Sequence, residues 1–154
     1  MPGSRLRDAA ARRLAAAVFV GAFAADLVSK RWAVAYSNAL VFNHTPSRLP
    51  YRLLMSFVAV AVGLALVRLA ARRGLGRQWG VWIGCSLLVA GILANGISPL
   101  LWARGVPDFI AVRGGWVWNV ADFEIAIGLT GGLFSVVLSA IAVYARERVG
   151  RQRS

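Results

Sequence analysis

The sequence predicts an all-α membrane protein of four spanning helices with both termini in the cytoplasm, and three observations carry that prediction. Of 154 residues, 58% are Ala, Val, Ile, Leu, Met, Phe, Trp, Tyr or Cys, and the mean hydropathy is +0.63. That is more apolar than a soluble domain, in which the same set with Gly added makes up about half. Four apolar runs reach the roughly 20 residues a helix needs to cross the hydrocarbon. Basic residues are concentrated at the chain ends and in one short connection, as expected of segments retained in the cytoplasm.

The first span covers residues 14–34 and carries Asp26 and Lys30 toward its far end. The second covers residues 53–71, the third 79–102 and the fourth 122–144. No internal repeat or low-complexity linker divides the chain, so residues 1–154 read as a single integral membrane domain. Arg5, Arg7, Arg12 and Arg13 precede the first span; Arg68, Arg72, Arg73 and Arg77 join the second to the third; Arg146, Arg148, Arg151 and Arg153 follow the fourth. Less Asp8 and Glu147, this leaves +10 of the total +12 on the cytoplasmic side. The outer side then holds two longer connections, residues 35–52 and 103–121, with Trp102, Trp116 and Trp118 around the second as interfacial aromatics. Attraction to anionic phospholipid accounts for the basic face without nucleic acid.

Two local patterns invite other readings. Arginines, the apolar run from Leu14 and then Ala22-Phe23-Ala24 resemble a cleavable signal peptide. The run continues through Leu27, Val28, Trp32 and Val34, long enough to remain as a span. Ile83-Gly84-Cys85 faintly echoes a lipid-attachment cysteine, but it lies within the third span, where a buried structural cysteine is expected. One cysteine excludes an internal disulfide, and the lone His44 cannot build a zinc centre without carboxylates; neither metal nor cofactor is expected.

Six carboxylates leave few candidates for chemistry. Asp26 and Lys30 stand at i and i+4 on one helical face, either as an ion pair holding the first span or as polar groups for a ligand. Asp108 follows Gly105-Val106-Pro107 just beyond the third span, and Asp122 opens the fourth after Trp118-Asn119-Val120-Ala121. If these spans are antiparallel neighbours, both aspartates return to one membrane surface. Close carboxylates do not both ionise cheaply, so one would hold a proton while the other takes one from water. Such a dyad hydrolyses peptide bonds. Plainer readings stand beside it: Asp122 as the N-cap of the fourth helix, Asp108 as an exposed turn residue, Asn119 as a turn residue or a hydrogen-bonding support, and Glu124 as a first-turn charge.

The chain resembles the lipoprotein signal peptidases, or type II signal peptidases, of bacterial inner membranes. Asp26-Leu27-Val28-Ser29-Lys30 is similar to the family's Asp-x-x-Ser-Lys element, Val106-Pro107-Asp108-Phe109-Ile110 to its Val-Val-Asp-Phe-Ile, and Trp118-Asn119-Val120-Ala121-Asp122 to its Phe-Asn-x-Ala-Asp. The last two elements hold the family's catalytic aspartates. Two departures are visible. The family's Gly-Asn-x-x-Asp-Arg becomes Ala94-Asn95-Gly96-Ile97-Ser98-Pro99-Leu100, with Pro99-Leu100 in place of Asp-Arg and Asn95 one position early. Val41-Phe42-Asn43-His44-Thr45-Pro46 stands where the family has an Asn-x-Gly-Ala-Ala-Phe-Ser segment.

The resemblance implies a multi-pass protein of the bacterial cytoplasmic membrane, its outer loops and short strands forming a cradle over an extracytoplasmic site. Asp108 and Asp122 would be catalytic, cutting a diacylglyceryl-modified prolipoprotein on the N-terminal side of its lipid-bearing cysteine. Asn119, Asn43, Asn95, Asp26 and Lys30 would position the peptide. Trp116 and Phe109 are expected as interfacial anchors or as contacts to lipid or substrate, and the protein as a monomer. Loss of Asp-Arg motivates a second reading, a silent relative that binds lipoprotein or inhibitor. A third is a small proton or cation transporter using Asp26, Asp108 and Asp122.

Overall fold

The computed structural model describes residues 2–38, 40–43, 49–72 and 79–151. His44, Thr45, Pro46, Arg73, Arg77 and Arg153 of the sequence reading lie outside them. Four helices make up most of the chain: α1 (Pro2–Tyr36), α2 (Leu49–Arg72), α3 (Trp79–Leu101) and α4 (Val120–Arg151). Each apolar run expected to span lies within one of them, α3 ending one residue short. α1 starts twelve residues ahead of its run and α4 continues seven beyond, because the basic flanks are rich in Ala and Arg, good helix formers whose charge does not halt the backbone.

α3 is the central helix, packed most extensively on α4 and then on α1 and α2. Small residues set how closely it approaches α4. A Cβ built on Gly84 would lie 2.7 Å from the backbone of Gly132, and one on Gly128 would lie 2.5 Å from the Leu88 nitrogen. Gly80 faces Ser135 and Gly91 faces Ala121, so residue numbers fall along α4 as they rise along α3, and the pair is antiparallel. Glycine-lined backbone contact of this kind is the usual way helices associate where lipid provides no hydrophobic drive.

The distribution of side chains fits the same environment. Ala33, Ala90, Ala94 and Ala121 are buried together with Asp26, Lys30, Ser98 and Asn119. Phe57, Leu64, Leu133, Phe134 and Ile141 face outward. Small and polar residues thus fill the interior, while large apolar ones form the exterior. Among the described residues, α3 and the Val120–Ala145 stretch of α4 are each long and apolar enough to cross a membrane.

The long connection between α3 and α4 carries three short strands, and a fourth, from the α1–α2 connection, pairs with the first of them. Ser98 accepts the Trp102 amide, Trp102 accepts that of Gly105, and Gly105 at φ 111° turns the chain out of the helix. β1 (Val41–Asn43) then pairs antiparallel with β2 (Val106–Asp108), placing Val41 opposite Asp108 and Asn43 opposite Val106. Arg104 lies over the Phe42 ring, 4.4 Å from its centroid, and joins the two connections. β3 (Ile110–Ala111) pairs with β4 (Val117–Trp118) around a turn in which Gly114 and Gly115 take φ of 96° and 82°.

Candidate active site

The β3–β4 hairpin brings Asp108 to Asn119. Ile110 pairs with Trp118, and the Phe109 amide donates to the Trp118 carbonyl at 2.9 Å. The residues flanking the hairpin therefore meet at its open end, where Asn119 Nδ2 donates to Asp108 Oδ1 at 2.6 Å. Both side chains are buried, Asp108 at 7% and Asn119 at 1% exposure.

Asn119 is also the N-cap of α4. Its Oδ1 accepts the Asp122 amide at 3.2 Å, and Asp122 Oδ2 accepts the Asn119 amide at 2.9 Å. This is a reciprocal capping box, with Asp122 at its third helical position. The reading of Asp122 as the cap is thus corrected: the cap is Asn119, and the carboxylate reaches back to it. The cap side chain thereby connects the two aspartates.

The second oxygen of Asp122 belongs to a chain of contacts leading into α3 and α1. Asn95 Nδ2 donates to Asp122 Oδ1 at 2.9 Å, and Asn95 Oδ1 accepts from Lys30 Nζ at 2.7 Å. Lys30 also donates to Ser98 Oγ at 3.1 Å and pairs with Asp26 Oδ2 at 2.7 Å. Asp26 Oδ1 accepts the Ala121 amide at 2.8 Å, satisfying another free donor of the α4 N-terminus.

A cavity of about 550 Å³ opens over this arrangement. Asp108, Asp122, Asn119, Asn95 and Asn43 all line it, together with Tyr51, Ser56, Trp116 and Trp118. Asp26 and Lys30 do not; both are 0% exposed and stand behind Asn95 and Ala121. Trp116 is 70% exposed at the rim, whereas Phe109 is half-buried outside the lining. Glu124 is not in the first turn of α4. It is buried, and its Oε2 makes no hydrogen bond to a described residue. Among the described residues, no group of three His, Cys, Asp or Glu side chains is placed to hold a metal ion.

The sequence reading did not single out Ser98, Tyr51 or Ser56. Ser98 carried a usable signal, a hydroxyl three positions after Asn95 on an otherwise apolar helix. Tyr51 and Ser56 carried none, since a tyrosine at the end of an outer connection and a lone serine in an apolar run are ordinary.

Helices that turn large apolar side chains outward and polar ones inward define the class of helical membrane proteins. Within it, a family model described as signal peptidase (SPase) II matches residues 33–138, and the chain belongs to that family of bacterial membrane peptidases. Two solved structures, each described as a bacterial membrane enzyme determined by the in meso method, have a similar fold. One has a TM-score of 0.60 at 16% identity, covering 80% of this chain and 92% of its own; the other has 0.57 at 17%, covering 83% and 90%. No curated protein matches the chain in sequence.

Proposed function

We propose that the protein is a membrane aspartic endopeptidase that removes signal peptides from diacylglyceryl-modified prolipoproteins. The observation that carries this reading is the convergence of Asp108 and Asp122 on one cavity, joined through Asn119. Hydrogen bonds donated by Asn95 and by the Asn119 amide hold both Asp122 oxygens in place at the start of α4. Close carboxylates do not both ionise cheaply, and in this reading Asp122 serves as the base and Asp108 as the acid. Asp122 takes a proton from water as its oxygen attacks the scissile carbonyl, and Asp108 donates to the carbonyl oxygen. As the tetrahedral intermediate collapses its C–N bond breaks, Asp122 passes its proton to the leaving nitrogen, and a hydroxyl of the intermediate returns a proton to Asp108. The products are the carboxylate of the signal peptide and the free amine of the lipid-bearing cysteine.

In this reading all four helices span the cytoplasmic membrane of a bacterium, with both termini inside and the cavity at the outer surface. The chain acts as a single-domain monomer in contact with phospholipid. A substrate held by an acylated cysteine and an apolar helix presents its scissile bond at that depth. Asn43, Asn95 and Asn119 face the peptide in the cavity, and Asp26 and Lys30 act from behind them.

The test is reconstitution of the full chain in liposomes with a prolipoprotein in diacylglyceryl-modified and unmodified form, followed on gels. Cleavage of the modified form alone, at the bond before its cysteine, is expected; a failure to cut any modified prolipoprotein would sink the reading. Binding without cleavage would point to the silent relative that Pro99-Leu100 motivates. Asn119→Ala should lower stability by about 1 kcal/mol through the lost cap. It should also slow cleavage about a hundredfold by loosening both aspartates, measured as thermal unfolding in detergent beside the gel rate.

A further inference from the structure

The Asp26–Lys30 pair has no exposure and no part in the cavity lining, yet both of its ends lead to Asp122. One route runs from Lys30 through Asn95 to Asp122 Oδ1; the other from Asp26 to the amide of Ala121, the residue before Asp122. A pin between helices has no need of charge, and buried ion pairs can often be exchanged for apolar packing without loss of stability. Charge inside a membrane-embedded bundle is costly and asks for a function.

Donor chemistry supplies one. An ammonium only donates, whereas an amide side chain has one accepting and one donating end that differ little in shape. With Lys30 Nζ 2.7 Å from its oxygen, Asn95 must present Nδ2 to Asp122. Ser98 cannot replace Lys30 here, because its hydroxyl donates to the Ala94 carbonyl at 2.7 Å and receives Lys30 on its oxygen. Without the ammonium only Asp122 itself would select the donor end of the Asn95 amide, and that selection weakens once Asp122 takes up a proton from water. An inverted amide would turn its oxygen toward the carboxylate.

We propose that Lys30 is a positioning residue for Asp122 that acts through Asn95, fixing which end of that amide faces the carboxylate. The proposal rests on the reading of Asp122 as one of the two catalytic groups. Asp26 serves as the counter-charge that lets Lys30 stay an ammonium in the interior, and it holds the α4 terminus at the same time.

The experiment uses full-length protein in liposomes and a diacylglyceryl-modified prolipoprotein over a range of concentrations. Asp26→Asn combined with Lys30→Met removes both buried charges together and leaves an oxygen for the Ala121 amide. We expect its unfolding temperature to match wild type and kcat to fall at least about tenfold through misalignment, with KM changing less than kcat because neither residue itself reaches the cavity. Adding Asn95→Ala should cost no further kcat beyond the more damaging of the two changes, since both break the same link. Wild-type kcat in the charge-free variant, or losses that multiply in the combination, would overturn the proposal. If that variant does not fold, Lys30→Gln keeps a donor but loses its one-way character; the same kcat loss is expected, and wild-type kcat overturns the proposal equally. Asp122→Asn is measured in parallel. If it still cuts, the reading of Asp122 fails and this proposal with it; if it is inactive while the charge-free variant is unimpaired, only the role of Lys30 falls.

Discussion

Asp108→Asn and Asp122→Asn should each reduce prolipoprotein cleavage by about a thousandfold or more, within the range a positioned acid or base contributes. Both changes are nearly isosteric, so the loss reports on proton transfer. Asp122→Asn should also cost stability. Asp122 accepts on both oxygens, from Asn95 and from the Asn119 amide, and an asparagine has only one acceptor. Asp122→Asn should therefore be destabilised by about 1 kcal/mol for the broken capping contact and unfold at a lower temperature than wild type. Gel rates and thermal unfolding in detergent separate the two effects. Cleavage at the wild-type rate by either variant would remove the dyad from the mechanism.

Scarcity of charge made much of this site legible in the sequence. With six acidic residues in an apolar chain, those outside the cytoplasmic flanks needed an explanation, and the i, i+4 spacing of Asp26 and Lys30 gave their pairing directly. Relations between distant residues were not legible. Local spacing offered Asp122 as a helix cap, but whether it or Asn119 caps α4 depends on which amide the backbone leaves free, a matter settled when the helix starts at Val120. Asn95 looked misplaced by one position. Its reach to Asp122 is fixed by how closely α3 approaches α4, which depends on glycines whose contacts lie some 40 residues away in the chain. The bond from Asp26 to the Ala121 amide, 95 residues apart, leaves no trace in either segment.

That dependence on close approach makes Gly128→Val the substitution with the largest expected effect on the fold. A Cβ at Gly128 would sit 2.5 Å from the Leu88 nitrogen and 2.6 Å from the Gly84 carbonyl oxygen, both backbone atoms of α3 that cannot rotate away. The helices must separate, and overpacking of this kind costs about 1–3 kcal/mol in a well-packed interior, with a branched side chain at the upper end. Gly131→Ala is the matched control, because a Cβ there meets nothing within 4 Å and alanine favours a helix over glycine by about 0.5–1 kcal/mol. Gly131→Ala should therefore unfold at or slightly above the wild-type temperature and Gly128→Val well below it. The consequence extends to the site, since Asn95 on α3 must stay 2.9 Å from Asp122 on α4. The fraction of Gly128→Val that remains folded should cleave more slowly than wild type. A variant with unchanged unfolding temperature and unchanged cleavage would show that the glycine contact does not set the α3–α4 distance, and with it the reach of Asn95 would lose its physical basis.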